Sequence, residues 1–362
     1  MKSPCFTRSI SSINIERNEM INELVKKYDP QNQFEVMKKS YAQIEYAWNN
    51  KIDLININTE KIGDIVISGL GGSAISGDLM NNYIREELKY PLFVNRGYSL
   101  PKFASEKTFV VISSYSGNTE ETIEVLLDAL KRKCQIVCLT TGGKIGAIAK
   151  ENNLPVVDLQ PGFQPRYALG LSFFSLLKVF NVLGLISDQN DNVVKILADW
   201  KLKGEKYSQE NNYALKFAEN LVGFIPVVYS VSGYNDSVGN RFKCQLNENS
   251  KVHAFHNVYS ELNHNEIVGW ETQNNNQLTA KLVTITDKSY HPQINIRIEF
   301  TSKIIEAQGV ETITISGGQD SFQLRLLELI YLFDWVSYYL AVIRGKDPSE
   351  IDNIIKLKEY LN

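Results

Sequence analysis

From residue 64 onward the chain repeats one pattern, a short unbroken apolar run followed by a longer amphipathic stretch. The runs DIVISGL (64–70), PLFVN (91–95), TFVVISSY (108–115), QIVCLTT (135–141) and LPVVDL (154–159) read as strands. The stretches 73–87, 118–133, 144–152 and 167–185 read as the helices between them. Parallel strands need a crossover long enough to hold a helix, so the alternation predicts βαβ units and a parallel sheet. Runs that are apolar throughout, rather than at alternate positions, predict helices on both faces.

The polar, charged stretch 187–212 reads as a helical connector, after which the alternation restarts. FIPVVYSVSG (224–233) precedes a helix at about 234–249, and KVHAF (251–255) follows as a strand. KLVTITD (281–287) precedes a helix at 291–308, and ETITISG (311–317) precedes a long apolar helix at about 320–344. A final amphipathic helix follows Asp347-Pro348, and a helical lead, broken at Asp29-Pro30, covers 20–50. The predicted fold class is α/β, with two doubly wound units of parallel sheet flanked by helices. The units span 20–190, lead included, and 213–362, with the connector at 191–212. Residues 1–19 are polar and aperiodic and read as a poorly ordered extension.

Composition narrows the function. Lys+Arg number 38 and Asp+Glu 41, a net charge of -3 over 362 residues, with no basic region of the kind nucleic acid requires. The longest apolar stretch noted, LSFFSLLKVFNVLGLI (171–186), holds Lys178 and Asn181 and falls short of the roughly 20 residues that span a bilayer. It reads as a core helix, and the first 20 residues carry no apolar run of a secretory signal. Cys5, Cys134, Cys138 and Cys244 form no CxxC pair, which points to free thiols in a reducing, cytoplasmic setting. The four histidines, His253, His256, His264 and His291, show no metal-ligand spacing, and no metal is expected.

Two loops follow predicted strand C-termini, where open α/β sheets bind ligands. In Ser68-Gly69-Leu70-Gly71-Gly72-Ser73-Ala74, glycines let the backbone approach an anion at a helix N-terminus. The same residues fit G-x-G-x-x-A, but a dinucleotide site wants an acidic residue after the second strand. That strand ends Val94-Asn95-Arg96, so no nicotinamide cofactor is expected; a glycine turn serving only tight packing is the other reading. The second loop, Ser113-Ser114-Tyr115-Ser116-Gly117-Asn118-Thr119, gathers the hydroxyls of Ser114, Ser116 and Thr119 at another helix start. Helix capping would need one such residue, and three suit a phosphate dianion. Two such loops without a P-loop lysine predict one small phosphorylated metabolite.

GLGGSAISGD followed by SSYSGNTEET resembles the SIS (sugar isomerase) domain. With PRYALG (165–170), RFKCQLNENSK (241–251), ELNHNEIVGW (261–270) and the closing DP…LK…L, the chain from about 20 to its end is similar to the bifunctional phosphoglucose/phosphomannose isomerases. The resemblance implies two SIS-type units with a homodimeric site between them, closed over by the C-terminal helix. It also implies interconversion of glucose 6-phosphate and mannose 6-phosphate with fructose 6-phosphate, without metal or cofactor, through a cis-enediol(ate). In that scheme Gly71, Gly72, Ser73, Ser114, Ser116 and Thr119 hold the phosphate. Glu248 moves the proton between C1 and C2, and Arg166 steadies the enediolate. His264, given by the second subunit, opens the sugar ring with Lys358 or Lys356. The closing LK…L favours Lys358. Ser349 lies two turns before Lys356, which would put both on one helix face and favours Lys356. Ser349 stands near where relatives carry a threonine tied to acceptance of both C2 epimers.

Other readings of the same residues are a non-catalytic SIS sugar-phosphate sensor, a reductase using the Gly69–Ala74 loop, and amino-sugar isomerisation. The absence of a helix-turn-helix head and the Glu248/His264 pair weigh against the sensor. No amidotransferase segment supports the amino-sugar chemistry.

Overall fold

Strands with no polar face must be covered on both sides, and in the computed structural model, which describes residues 21–273 and 278–361, the inner strands are, while the edge strands stay partly exposed. The predicted extension at 1–19, with Cys5, lies outside the described residues. Strands β1 (Asp64–Ser68), β2 (Leu92–Asn95), β3 (Thr108–Ser113), β4 (Gln135–Thr140) and β5 (Val156–Asp158) form one parallel sheet in the order β2-β1-β3-β4-β5. Strands β6 (Ile225–Val231), β7 (Phe255–Tyr259), β8 (Ala280–Thr286) and β9 (Glu311–Ser316) form a second, ordered β7-β6-β8-β9. In each sheet the chain leaves its first strand to one side and later returns to the other. The crevice between the first strand and its second-side neighbour is therefore the switch point, where such folds bind ligands.

Side-chain alternation decides which layer each strand residue enters. Ile65, Ile67, Phe109 and Val111 of the first sheet join Val228, Val283 and Ile285 of the second in one shared core. Their sequence neighbours Val66, Val110 and Ile112 face the opposite side, with the Glu120–Lys131 and Gly143–Glu151 helices. Val227, Tyr229 and Leu282 face a third cluster that includes Ile298 and Ile305 of the Pro292–Ala307 helix. The shared core is a layer of helices between the sheets. Its axis is the Phe322–Ile343 helix, long and apolar enough to cross a membrane but buried along most of its length here. Its charges are paired: Arg325 Nε and Nη2 donate to the Asp287 carboxylate at 2.7 and 2.8 Å.

The break predicted at Asp29-Pro30 is real, and Asp29 starts the next helix. Its carboxylate accepts from Gln33 N and Phe34 N, both at 2.8 Å, and from Tyr338 Oη at 2.8 Å. Two expectations shift. Residues 251–255 do not form the predicted strand, because the chain first turns. Lys251 has φ +52°, Val252 N donates to Leu246 O, and Ala254 N is taken by Asn247 Oδ1, so pairing starts at Phe255. Beyond the predicted connector, realised as the Asn190–Tyr207 helix, a further helix at Tyr213–Asn220 buries Leu215, Phe217 and Ala218.

His256 on β7 packs over Gly239 and shares a 2.7 Å hydrogen bond with Ser230 Oγ. Burial, assisted by nearby Lys243, pushes its pKa from 6.5 down to about 4. The unfolded chain takes up this proton first as pH falls. The contribution of the neutral ring is thus intact above about pH 6.5 and is lost between there and about pH 4, by on the order of 3 kcal/mol. His256→Gln should flatten that part of the pH–stability curve in urea unfolding; an unchanged slope would mean the ring is not held neutral.

Candidate active site

The two predicted loops leave β1 and β3, the strands that flank the first switch point. The first opens the Gly72–Tyr83 helix, with Gly71 at φ +52° before it and Ser73 buried in its first turn. Gly72 must be small, since a Cβ there would stand 3.0 Å from Pro165 O and 3.9 Å from Arg166 Cα. The helix start is thereby pressed against the turn that carries Arg166. The second loop opens the Glu120–Lys131 helix. Its side chains do not cap that helix. Thr119 Oγ1 lies 3.0 Å from Ser114 Oγ, and Asn118 Oδ1 accepts from Lys144 N. Ser114 is buried, Thr119 half-buried and Ser116 exposed, a graded row of hydroxyls at the mouth of the crevice. Tyr115 ties the loop down, donating to Gln160 O at 2.8 Å and accepting from Phe163 N at 2.9 Å.

Arg166 sits in the Pro165–Tyr167 turn before the Leu169–Val182 helix and is buried. A buried guanidinium is costly unless its donors are used. Nε donates to Asn249 Oδ1 at 2.8 Å, Nη2 to Pro348 O at 2.6 Å, and Nη1 to Glu248 Oε1 at 3.4 Å. Glu248 is the last residue of the Asp236–Glu248 helix, and its side chain is about one-third exposed. A solvent-reaching carboxylate thus faces a cation whose other bonds go to the protein. Desolvation, with Arg166 nearby, lowers the pKa of Lys251, whose ammonium donates to Asn249 O and Asp347 O.

Ser349 follows Pro348 and is buried with its Oγ lacking a hydrogen-bond partner, while its N donates to Asp347 Oδ1 at 2.6 Å. It is not helical, because the last helix begins at Asp352, so the argument that Ser349 and Lys356 share a helix face does not hold. Lys356 and Lys358 lie on that helix, whose residues 352–360 are exposed. His264 ends the short Glu261–His264 turn beyond the sheet-edge strand β7 and is exposed. Among the described residues it has no hydrogen bond to Glu248 or Arg166. Neither neighbouring glutamate orients it: Glu261 accepts from Asn265, and Glu266 accepts from Tyr229 Oη and Asn257 Nδ2.

The structure therefore joins both loops, Arg166, Glu248 and Ser349, while His264, Lys356 and Lys358 are exposed. Sequence reading assigned nothing to Asn249, Lys251, Arg241 or Asp334, which surround Arg166. A signal existed: Arg241, Gln245 and Asn249 recur every four residues on one helix face, and Asp334 interrupts an apolar run. Among the described residues no three His, Cys, Asp or Glu side chains converge as a metal site.

The two-sheet frame with phosphate-type loops at its switch point is that of the SIS sugar isomerases. The family model for the bacterial phospho-glucose isomerase C-terminal SIS domain matches residues 210–361. A hypothetical protein of Thermus thermophilus shares the fold with a TM-score of 0.73 at 15% identity, over 97% of this chain and 95% of that one. The bifunctional phosphoglucose/phosphomannose isomerase of Caldicellulosiruptor bescii is 39% identical over 91% of this chain and 98% of its own. The enzyme of that name from Aquifex aeolicus is 36% identical over the same shares. The chain belongs to the bifunctional phosphoglucose/phosphomannose isomerase family, and it is an isomerase of the intramolecular oxidoreductase type.

Gly117 tests the second loop. It has φ +67°, and a Cβ there would fall 1.8 Å from Gly142 O, so Gly117→Ala must displace backbone. The variant should lose about 2 kcal/mol or more in urea unfolding. Wild-type stability would mean that this loop does not pack against the Gly142 turn as described.

Proposed function

We propose that the protein interconverts glucose 6-phosphate and mannose 6-phosphate with fructose 6-phosphate through a cis-enediolate. The observation that carries this reading is the half-buried Glu248 carboxylate facing, at 3.4 Å, the Arg166 guanidinium that Asn249 and Pro348 hold in place. Glu248 takes the proton from C2 of the open-chain aldose, and the electron pair moves onto the carbonyl oxygen at C1. The same carboxylate returns the proton to C1 while the C2 hydroxyl proton passes to the C1 oxygen, which leaves a hydroxyl at C1 and the ketone at C2. Arg166 Nη1 stabilises the negative oxygen between these steps, so the scheme needs no metal. Backbone N–H groups at two helix starts, with Gly71, Gly72, Ser73, Ser114, Ser116 and Thr119 around them, hold the phosphate.

Ring opening needs a further acid and base, assigned to His264 and to Lys358 or Lys356. His264 is exposed on its own chain, and the Asp352–Leu361 helix leaves Ile354, Ile355 and Leu357 exposed. Both features favour a homodimer in which each site is completed by the partner's His264. The Ser349 hydroxyl, buried beside the Pro348–Arg166 contact without a partner, is suited to a substrate hydroxyl near C2. The names of the relatives support acceptance of both epimers. The two sheets support the division into units at 20–190 and 213–362, and the enzyme is assigned to the cytoplasm.

Purified protein in EDTA, offered glucose 6-phosphate and mannose 6-phosphate separately, should form fructose 6-phosphate from each. Glu248→Gln should lower kcat by about 10²-fold or more. Turnover of one epimer alone would confine the reading to that epimer. Sugar-phosphate binding without turnover by the wild type would replace the isomerase with a sensor.

A further inference from the structure

We propose that Asn249 is a positioning residue for Arg166, through a closed ring of buried hydrogen bonds that fixes how the guanidinium meets Glu248. The ring starts on the Arg166 side chain, whose Nε donates to Asn249 Oδ1 at 2.8 Å. Asn249 Nδ2 donates to Ser337 Oγ at 3.0 Å, and that hydroxyl donates to Asp334 O at 2.9 Å. The Asp334 carboxylate receives Arg241 Nε at 3.1 Å and Nη2 at 2.8 Å, with Gln245 Nε2 at 2.9 Å. Arg241 Nη2 then returns to the main-chain O of Arg166 at 3.0 Å. One residue is thus gripped at its backbone and at its side chain by the same circuit.

Asn249, Ser337, Arg241 and Arg166 are all buried, so water cannot replace a lost member. Arg166 Nε is committed to Asn249 and Nη2 bonds Pro348 O, which leaves Nη1 to face Glu248 and the reacting oxygen. Without the Asn249 acceptor, the guanidinium keeps its charge and loses its aim. Only Arg166 comes from the first half of the chain; Arg241, Asp334 and Ser337 come from two helices of the second half, and Asn249 from the residue that ends the first of them.

The inference rests on Arg166 acting at the enediolate, and the test separates the two. Asn249→Leu keeps the side-chain shape without the acceptor, and Asn249→Asp keeps the acceptor while losing the Nδ2 donor to Ser337, so the pair tests the bond to Arg166 apart from the rest of the ring. Asn249→Leu should lower kcat for glucose 6-phosphate by about 10- to 100-fold with KM within about twofold. Asn249→Asp should keep most of the activity. In a cycle with Arg166→Lys, the Leu substitution should cost little more, because both remove one function. Additive losses, or equal losses in the Leu and Asp variants, would overturn the positioning role and reduce Asn249 to a packing residue. So would unchanged kcat in Asn249→Leu while Glu248→Gln is inactive, a result that leaves the isomerase reading standing. No turnover by the wild type would overturn that reading, and the positioning role with it.

Discussion

The buried Arg166 guanidinium is the contact on which the site depends. Its three partners lie 82, 83 and 182 residues away along the chain, at the end of one helix and in the turn before another. A charge in that position is tolerated only if all three arrive together, because a single missing acceptor leaves a buried donor unsatisfied. The mutual setting of the two sheets is thereby coupled to the chemistry. The place where Arg166 ties the first half of the chain to the second is also where the glycine-rich loop after β1, the carboxylate and the unpartnered Ser349 hydroxyl come together.

The two halves share a plan, yet their switch points differ. In the first, the loops after β1 and β3 are lined with glycines and hydroxyls. In the second, the loops after β6 and β8 are plugged. Asn235 Nδ2 donates to Tyr290 Oη at 2.5 Å, Tyr290 and Tyr234 meet edge to face, and Arg325 fills the space beside Asp287. The first half contributes to the plug, since Asn82 Oδ1 accepts from Ser237 N and Arg85 lies over the Tyr234 ring. The second unit thus supports the site from the far end of its Asp236–Glu248 helix, whose start is occupied by protein.

The central helical layer makes this division of labour rigid. The Phe322–Ile343 helix carries Arg325, which closes the second switch point, and Asp334, which holds Arg241 beneath Arg166. With Glu328, which pairs with Lys203, these charges interrupt a largely apolar run, where each has a partner of opposite sign. One element therefore fills the second crevice and braces Arg166 beside the first.

The sequence by itself determined the βαβ alternation, the two glycine- and hydroxyl-rich loops, the break at Asp29-Pro30 and the family. Each of these is written in residues close together in the chain, where periodicity and turn chemistry act locally. The start of β7 was misplaced because the Lys251 turn is closed by Asn247 and Leu246, whose bonds leave no mark in hydropathy. The face-sharing of Ser349 and Lys356 failed because Pro348 and Ser349 are held out of the helix by Arg166 and Asp347. Whether the glutamate in Asn247-Glu248-Asn249 was a surface residue or faced a cation could be decided only by tertiary structure. That outcome depends on one arginine 82 residues away being buried, aimed and satisfied, and no local pattern encodes a hydrogen-bond ring closed across the fold.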